Sequence, residues 1–146
     1  MSSFYKLYNI NLKIVKLEPE NFHLFAKGKW NKIPINIIID TGASHTCFDY
    51  DFYKKYNSEI EIIENEGINV GIGTDGFKTQ LAPMHSLKIG RFNVHDFQVN
   101  LLSLEHINNV YKTLKIPSVQ CILGSDFFVS YNAIISYLDH KMTIFS

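Results

Sequence analysis

Three observations predict that this 146-residue chain folds as an all-β barrel or sandwich. Short runs rich in β-branched and aromatic residues recur along its length, Gly and Pro punctuate them, and stretches with helical spacing are few and brief. No internal repeat, low-complexity tract or Pro/Gly/Ser-rich linker interrupts the pattern, so residues 1–146 are expected to form one domain.

Taken in order, the apolar stretch over residues 4–17 suits either core or an interface. Residues 22–29 and 33–39 are apolar or β-branched runs separated by Trp30, Asn31 and Lys32, which predicts a hairpin whose second strand leads into Asp40. Residues 46–48 continue extended, and residues 51–56 carry the leading acid and closely spaced aromatics of a short helix capped by Asp51. Strands are then expected over 59–64, 68–72, 77–81, 86–89, 92–101 and 121–123, with Gly67, Gly76, Pro83 and Gly90 as turn markers. Leu104, Ile107, Val110, Tyr111 and Leu114 recur at helical spacing, so 103–118 is expected to hold a short helix or an ordered loop. Residues 126–131 read as a brief helix behind Ser125 and Asp126, and 133–137 with 142–145 as a closing hairpin.

Charge excludes some partners. Fourteen basic and fourteen acidic residues cancel, so neither a nucleic-acid surface nor a polybasic membrane contact is expected. Residues 1–15 lack the basic start and continuous apolar stretch of a secretory signal, and no apolar run approaches the roughly 20 residues of a membrane helix. A cytoplasmic protein is the expectation. Cys47 and Cys121 lie far apart and outside any zinc-ligand spacing, which predicts reduced, buried thiols. The six histidines show no E-x-x-H or H-x-H pattern, so no metal site is expected among them. Ser44 beside His45 makes a poor nucleophile pair, because strand neighbours face opposite ways and no G-x-S-x-G elbow is present.

The most informative stretch is Ile37, Ile38, Ile39, Asp40, Thr41, Gly42, Ala43 and Ser44, an apolar strand ending in an acid, a hydroxyl and a glycine. An ionised Asp after three isoleucines is costly to bury without hydrogen bonds or a functional role. Gly42 permits a tight turn that brings backbone N–H groups toward the carboxylate. As a bare tripeptide, Asp-Thr-Gly is often only a strand-ending turn. In this context, however, residues 37–44 resemble the active-site motif of the retropepsin-like aspartic proteases, the single-lobed relatives of pepsin.

Two further segments fit the resemblance, which spans about residues 22–145. Val70 to Phe77 (V-G-I-G-T-D-G-F) is similar to the glycine-rich flap of that family, and Cys121 to Phe127 (C-I-L-G-S-D-F) to its second signature. The flap segment also spells G-x-G-x-x-G, but a dinucleotide fingerprint needs a helix opening at its last glycine, whereas residues 77–83 are strand-like and end at Pro83. The family resemblance implies a closed acid-protease barrel with one or two short helices. It also implies an aspartic endopeptidase that cleaves extended polypeptide as a homodimer, with one Asp40 from each subunit and no cofactor. Thr41 would join the two loops across the dimer, Gly42 would supply donors to the acids, and Ala43 and Ser44 would complete the loop. Ile72, Gly73, Thr74, Asp75 and Gly76 would cover the substrate. Ile39, Ile72, Ile122 and Leu123 would form pocket walls, with Gly124 beneath the loop. Relatives carry an acid at the position of Ser44 and, in retroviral members, an arginine at that of Ser125, so peptide anchoring and dimer geometry are expected to differ here. The rival class is a non-catalytic module that binds peptide or dimerises on the same fold.

Overall fold

The computed structural model describes residues 4–56, 63–65 and 79–146. Strands β1 (Leu7–Asn11) and β2 (Lys13–Glu18) open the chain, followed by β3 (Asn21–Trp30) and β4 (Ile33–Ile39). Strand β5 (Cys47–Asp49) runs directly into helix α1 (Tyr50–Tyr56). Then come β6 (Ile63–Asn65), β7 (Thr79–Met84), β8 (Leu87–Ile89), β9 (Phe92–Val94) and β10 (Phe97–Leu102). Helix α2 (Glu105–Thr113), β11 (Cys121–Leu123), helix α3 (Ser125–Ser130), β12 (Ile134–Ser136) and β13 (Lys141–Phe145) complete the chain.

The main sheet has the order β6-β7-β10-β5-β11-β4-β3-β8-β9, with β2 added against β3, and it curls into a nearly closed barrel. A second sheet, β1-β13-β12, joins the two ends of the chain. At the centre of the main sheet β11 lies parallel to β4 and antiparallel to β5, so the strand entering the Asp40 loop and the strand leaving it flank one later strand.

The isoleucine run of β4 is explained by burial on both faces. Ile35, Ile37 and Ile39 join the main core, together with Trp30, Phe48, Tyr53 and Phe127. Ile38 faces a smaller cluster made with Phe25, Tyr111 and Val119. Helix α2 supplies the cover for that second face, and Asn108 fixes it there: its amide donates to the Val119 carbonyl at 2.9 Å and accepts from the Val119 N–H at 2.8 Å.

Several boundaries differ from expectation. The 3–4 hairpin closes through two residues, Asn31 and Lys32, both at positive φ as a tight hairpin turn requires. Pro83 lies inside β7 rather than at a turn, where among the described residues it pairs with Gln98 of β10. The expected strand 92–101 is two strands, broken where Asp96 takes φ 52°. Three short helices stand among the described residues where the barrel expectation allowed one or two. Helix α1 is capped by Asp49, not Asp51: its carboxylate accepts from Phe52 N–H at 3.2 Å and from Leu104 N–H at 2.9 Å, tying α1 to the start of α2. The expected strand 68–72 and the glycine-rich segment 72–76 lie outside the described residues. No helix among those described is long and apolar enough to cross a membrane.

Candidate active site

Asp40 follows the last residue of β4, and its backbone is pinned before its side chain is considered. Its N–H donates to the Leu123 carbonyl of β11 at 3.0 Å, and its own carbonyl accepts from Ala43 N–H at 3.1 Å, closing the turn. The Gly42 N–H then donates to Asp40 Oδ1 at 2.9 Å. A side chain at position 42 would set its Cβ 3.3 Å from that same oxygen, which is why glycine suits the turn. Asp40, Thr41, Gly42 and Ser44 are exposed in the single chain, and Ala43 is half-buried. The acid expected to be buried is therefore open to solvent in the single chain, in the turn that follows β4.

The second signature buttresses this loop from below. Ser125 N–H donates to the Ala43 carbonyl at 2.7 Å. Gly124 passes so close that an added Cβ would sit 2.8 Å from the Ala43 oxygen and 2.8 Å from the His45 carbonyl carbon, so only glycine fits without displacing backbone. Its N–H donates to Thr46 Oγ1 at 3.0 Å.

Thr46 and Asp126 form the part of the support that the sequence did not reveal. Thr46 is buried, at 1% exposure, and every polar group it has is used. Its N–H donates to the two Asp126 carboxylate oxygens at 2.9 and 3.0 Å, its hydroxyl donates to Asp126 Oδ1 at 2.8 Å, and its carbonyl accepts from Asn100 N–H at 2.9 Å. Asp126, expected as a helix cap, does accept from Phe127 N–H at 2.8 Å but mainly clamps the far end of the Asp40 loop. The only signal in the sequence was an acid directly after the Gly-Ser of the second signature.

Beside Asp40 opens a cavity of about 530 Å³. Asp40, Thr41, Ile38, Ile39 and Ile122 line it from the central strands, with His106, Ile107, Val110 and Tyr111 from α2. Leu17, Phe22, His23, Leu24, Ile135 and Tyr137 complete the wall. Ile39 and Ile122 stand where pocket walls were expected; Leu123 does not, since alternation along β11 turns it into the main core at 0% exposure. The histidines are less scattered than their spacing suggested: His23 and His106 share this cavity, and His23 Nδ1 lies 2.7 Å from the Tyr111 hydroxyl. Burial first, and then the charge of Asp40, push the Tyr111 hydroxyl up to about 12. Of the two free cysteines, Cys121 is buried and Cys47 is half-buried; burial, then Asp126 and Asp40, push the Cys47 thiol up to about 11.

A family model described as aspartyl protease matches residues 26–127, more than half of the chain, including the Asp40 loop and the second signature beneath it. The chain belongs to the aspartyl protease family. As a member it shares its fold with solved retropepsin-like structures. A retropepsin-like aspartic protease from Rickettsia conorii superposes with a TM-score of 0.56 at 13% identity, covering 99% of this chain and 96% of that one. The retroviral protease-like domain of Ddi1 from Leishmania major gives a TM-score of 0.56 at 13% identity over 84% of this chain and 87% of that one. EIAV protease, complexed with the inhibitor HBY-793, gives 0.52 at 20% identity over 80% of this chain and 93% of that one. No curated protein matches this aspartyl protease family member in sequence.

Proposed function

We propose that the chain is an aspartic endopeptidase that hydrolyses peptide bonds in extended polypeptide, working as a homodimer with one Asp40 from each subunit. The observation that carries this reading is a carboxylate held by a backbone N–H on an exposed loop at the wall of a mainly apolar cavity. Two such carboxylates brought within hydrogen-bond reach share one proton, because ionising both is costly. One then takes a proton from the attacking water while the other protonates the carbonyl oxygen, and the leaving nitrogen later receives a proton. Thr41, exposed beside Asp40, joins the two loops; Gly42, Ala43 and Ser44 complete the turn; Ile72 to Gly76 close over the peptide; Ile122 and Gly124 serve the wall and the support. No cofactor enters this chemistry. Two free thiols suit a reducing compartment, so a cytoplasmic setting is part of the proposal.

One observation favours the rival reading of a non-catalytic peptide-binding or dimerisation module. Asp40 is exposed in the single chain, so its presence there carries no burial cost that catalysis must explain. Assaying a mixed peptide library between pH 4 and 8 separates the two. The wild-type chain is expected to cleave apolar-rich peptides and Asp40→Asn to be inactive with unchanged circular dichroism. Substantial cleavage by the mutant would sink the proposed mechanism.

A further inference from the structure

We propose that His23, held by Tyr111, reads a glutamine-type side chain of the bound peptide. The inference rests on the peptide-cleft half of the reading above, not on cleavage. Tyr111 is 2% exposed, and its hydroxyl stays protonated because burial and the nearby Asp40 charge both oppose ionisation. Among the described residues that hydroxyl has one partner, His23 Nδ1 at 2.7 Å. With the Tyr111 hydroxyl donating to Nδ1, the imidazole carries its proton on Nε2, and this is the tautomer the proposal assigns. His23 is only half-buried and lines the same cavity as Asp40, and its Nε2 has no partner among the described residues.

The cavity therefore has a pre-oriented N–H donor in a wall otherwise dominated by Leu, Ile, Val and Phe. Its occupant needs an apolar stem to lie on Ile38, Ile122 and Val110 and an acceptor oxygen at its end. The titratable groups lining the cavity are Asp40, His23, His106, Tyr111 and Tyr137. A carboxylate in the occupant would meet the negative field of Asp40, which already reaches Tyr111, so the neutral amide oxygen of Gln is the better match.

The test uses the full chain carrying Asp40→Asn, so that peptides bind without being cut. Fluorescein-labelled, apolar-rich peptides carrying Gln or Met at one position at a time are titrated by anisotropy. At one position Gln should bind about five-fold tighter than the near-isosteric Met, the usual worth of one hydrogen bond. His23→Leu should erase that preference, His23→Gln should restore part of it by keeping a donor, and Tyr111→Phe should weaken it by freeing the tautomer. Equal binding of Gln and Met at every position, a preference that survives His23→Leu, or no binding of any peptide would each overturn the inference. A Gln preference in this chain beside a wild-type chain that cuts nothing would leave the inference standing and remove the protease reading. Cleavage without the preference would do the reverse.

Discussion

At the scale of single residues, the Asp40 loop depends on Thr46 more than on any side chain the motif advertises. A buried hydroxyl that donates to Asp126 and accepts from Gly124 N–H cannot be removed without stranding the Gly124 N–H and taking one of the bonds on Asp126. Thr46→Val keeps the β-branched shape and removes only that oxygen, so it is expected to cost about 1–3 kcal/mol of stability. Urea unfolding measures it, and an unchanged midpoint would show that the hydroxyl does not carry the loop. Cys47 gives a second residue-level expectation. Burial beside Asp126 and Asp40 raises its thiol from 9.0 to about 11, which depletes the reactive thiolate at pH 8 on the order of 100-fold relative to an unperturbed cysteine. Because the folded pKa is the higher one, labelling by iodoacetamide should rise about tenfold per pH unit up to a pH of about 11 and level off above it. Rapid labelling of the native chain at pH 8 would mean that Cys47 feels neither the burial nor the two acids.

Among the elements, α2 does the least obvious work, since it is both the lid of the smaller core and one wall of the cavity. Its register against residue 119 rests on the paired amide bonds of Asn108. Asn108→Ala should therefore cost about 1–3 kcal/mol, read as a lower melting temperature, and should loosen the cavity wall carrying Tyr111. A variant as stable as wild type would place the anchoring of α2 elsewhere. This element also marks how far the sequence can be read. The strands around Asp40 were legible because burial on both faces forces an unbroken apolar run, and the 3–4 hairpin because its turn is local. Helix α2 was visible as a 3.6-residue period, but whether that period formed a helix depended on a second core that only assembles with Phe25 and Ile38, residues far away in sequence. The same distance hid the Thr46–Asp126 clamp and the His23–Tyr111 pair, which span 80 and 88 positions. Strands β1 and β2 read only as apolar stretches because their partners are β13 and β3 and not each other. Pro83 misled because a proline marks a turn in some places and sits within a strand in others, as it does in β7.

For the whole molecule the question is what faces Asp40. One chain offers a single Asp-Thr-Gly; the other aspartates, at 49, 51, 75, 96, 126 and 139, sit in no second copy of that turn. Around the cavity that holds Asp40, Phe22, Val110 and Tyr137 are 55%, 48% and 62% exposed, and Leu138, next to Tyr137, is 91% exposed. Large apolar side chains left open beside the Asp40 loop suit the contact with a second copy that the proposed function requires. Strand β12, whose Ile135 lines the same cavity, is also an unpaired edge of its sheet among the described residues. A two-fold axis between the Asp40 loops would bring both features onto the same features of the partner, as an isologous interface requires. Activity on a cleaved peptide should then fall faster than linearly on dilution through the dimer dissociation constant. Excess Asp40→Asn chain should inhibit the wild type, because mixed dimers hold only one normal acid. Leu138→Asp, a change at a solvent-exposed position, should lower activity at a given concentration and shift the sedimentation coefficient toward the monomer without lowering the melting temperature of the monomer. A chain that sediments as a monomer while specific activity stays flat on dilution would defeat the two-subunit site, and the second acid would have to come from within the same chain.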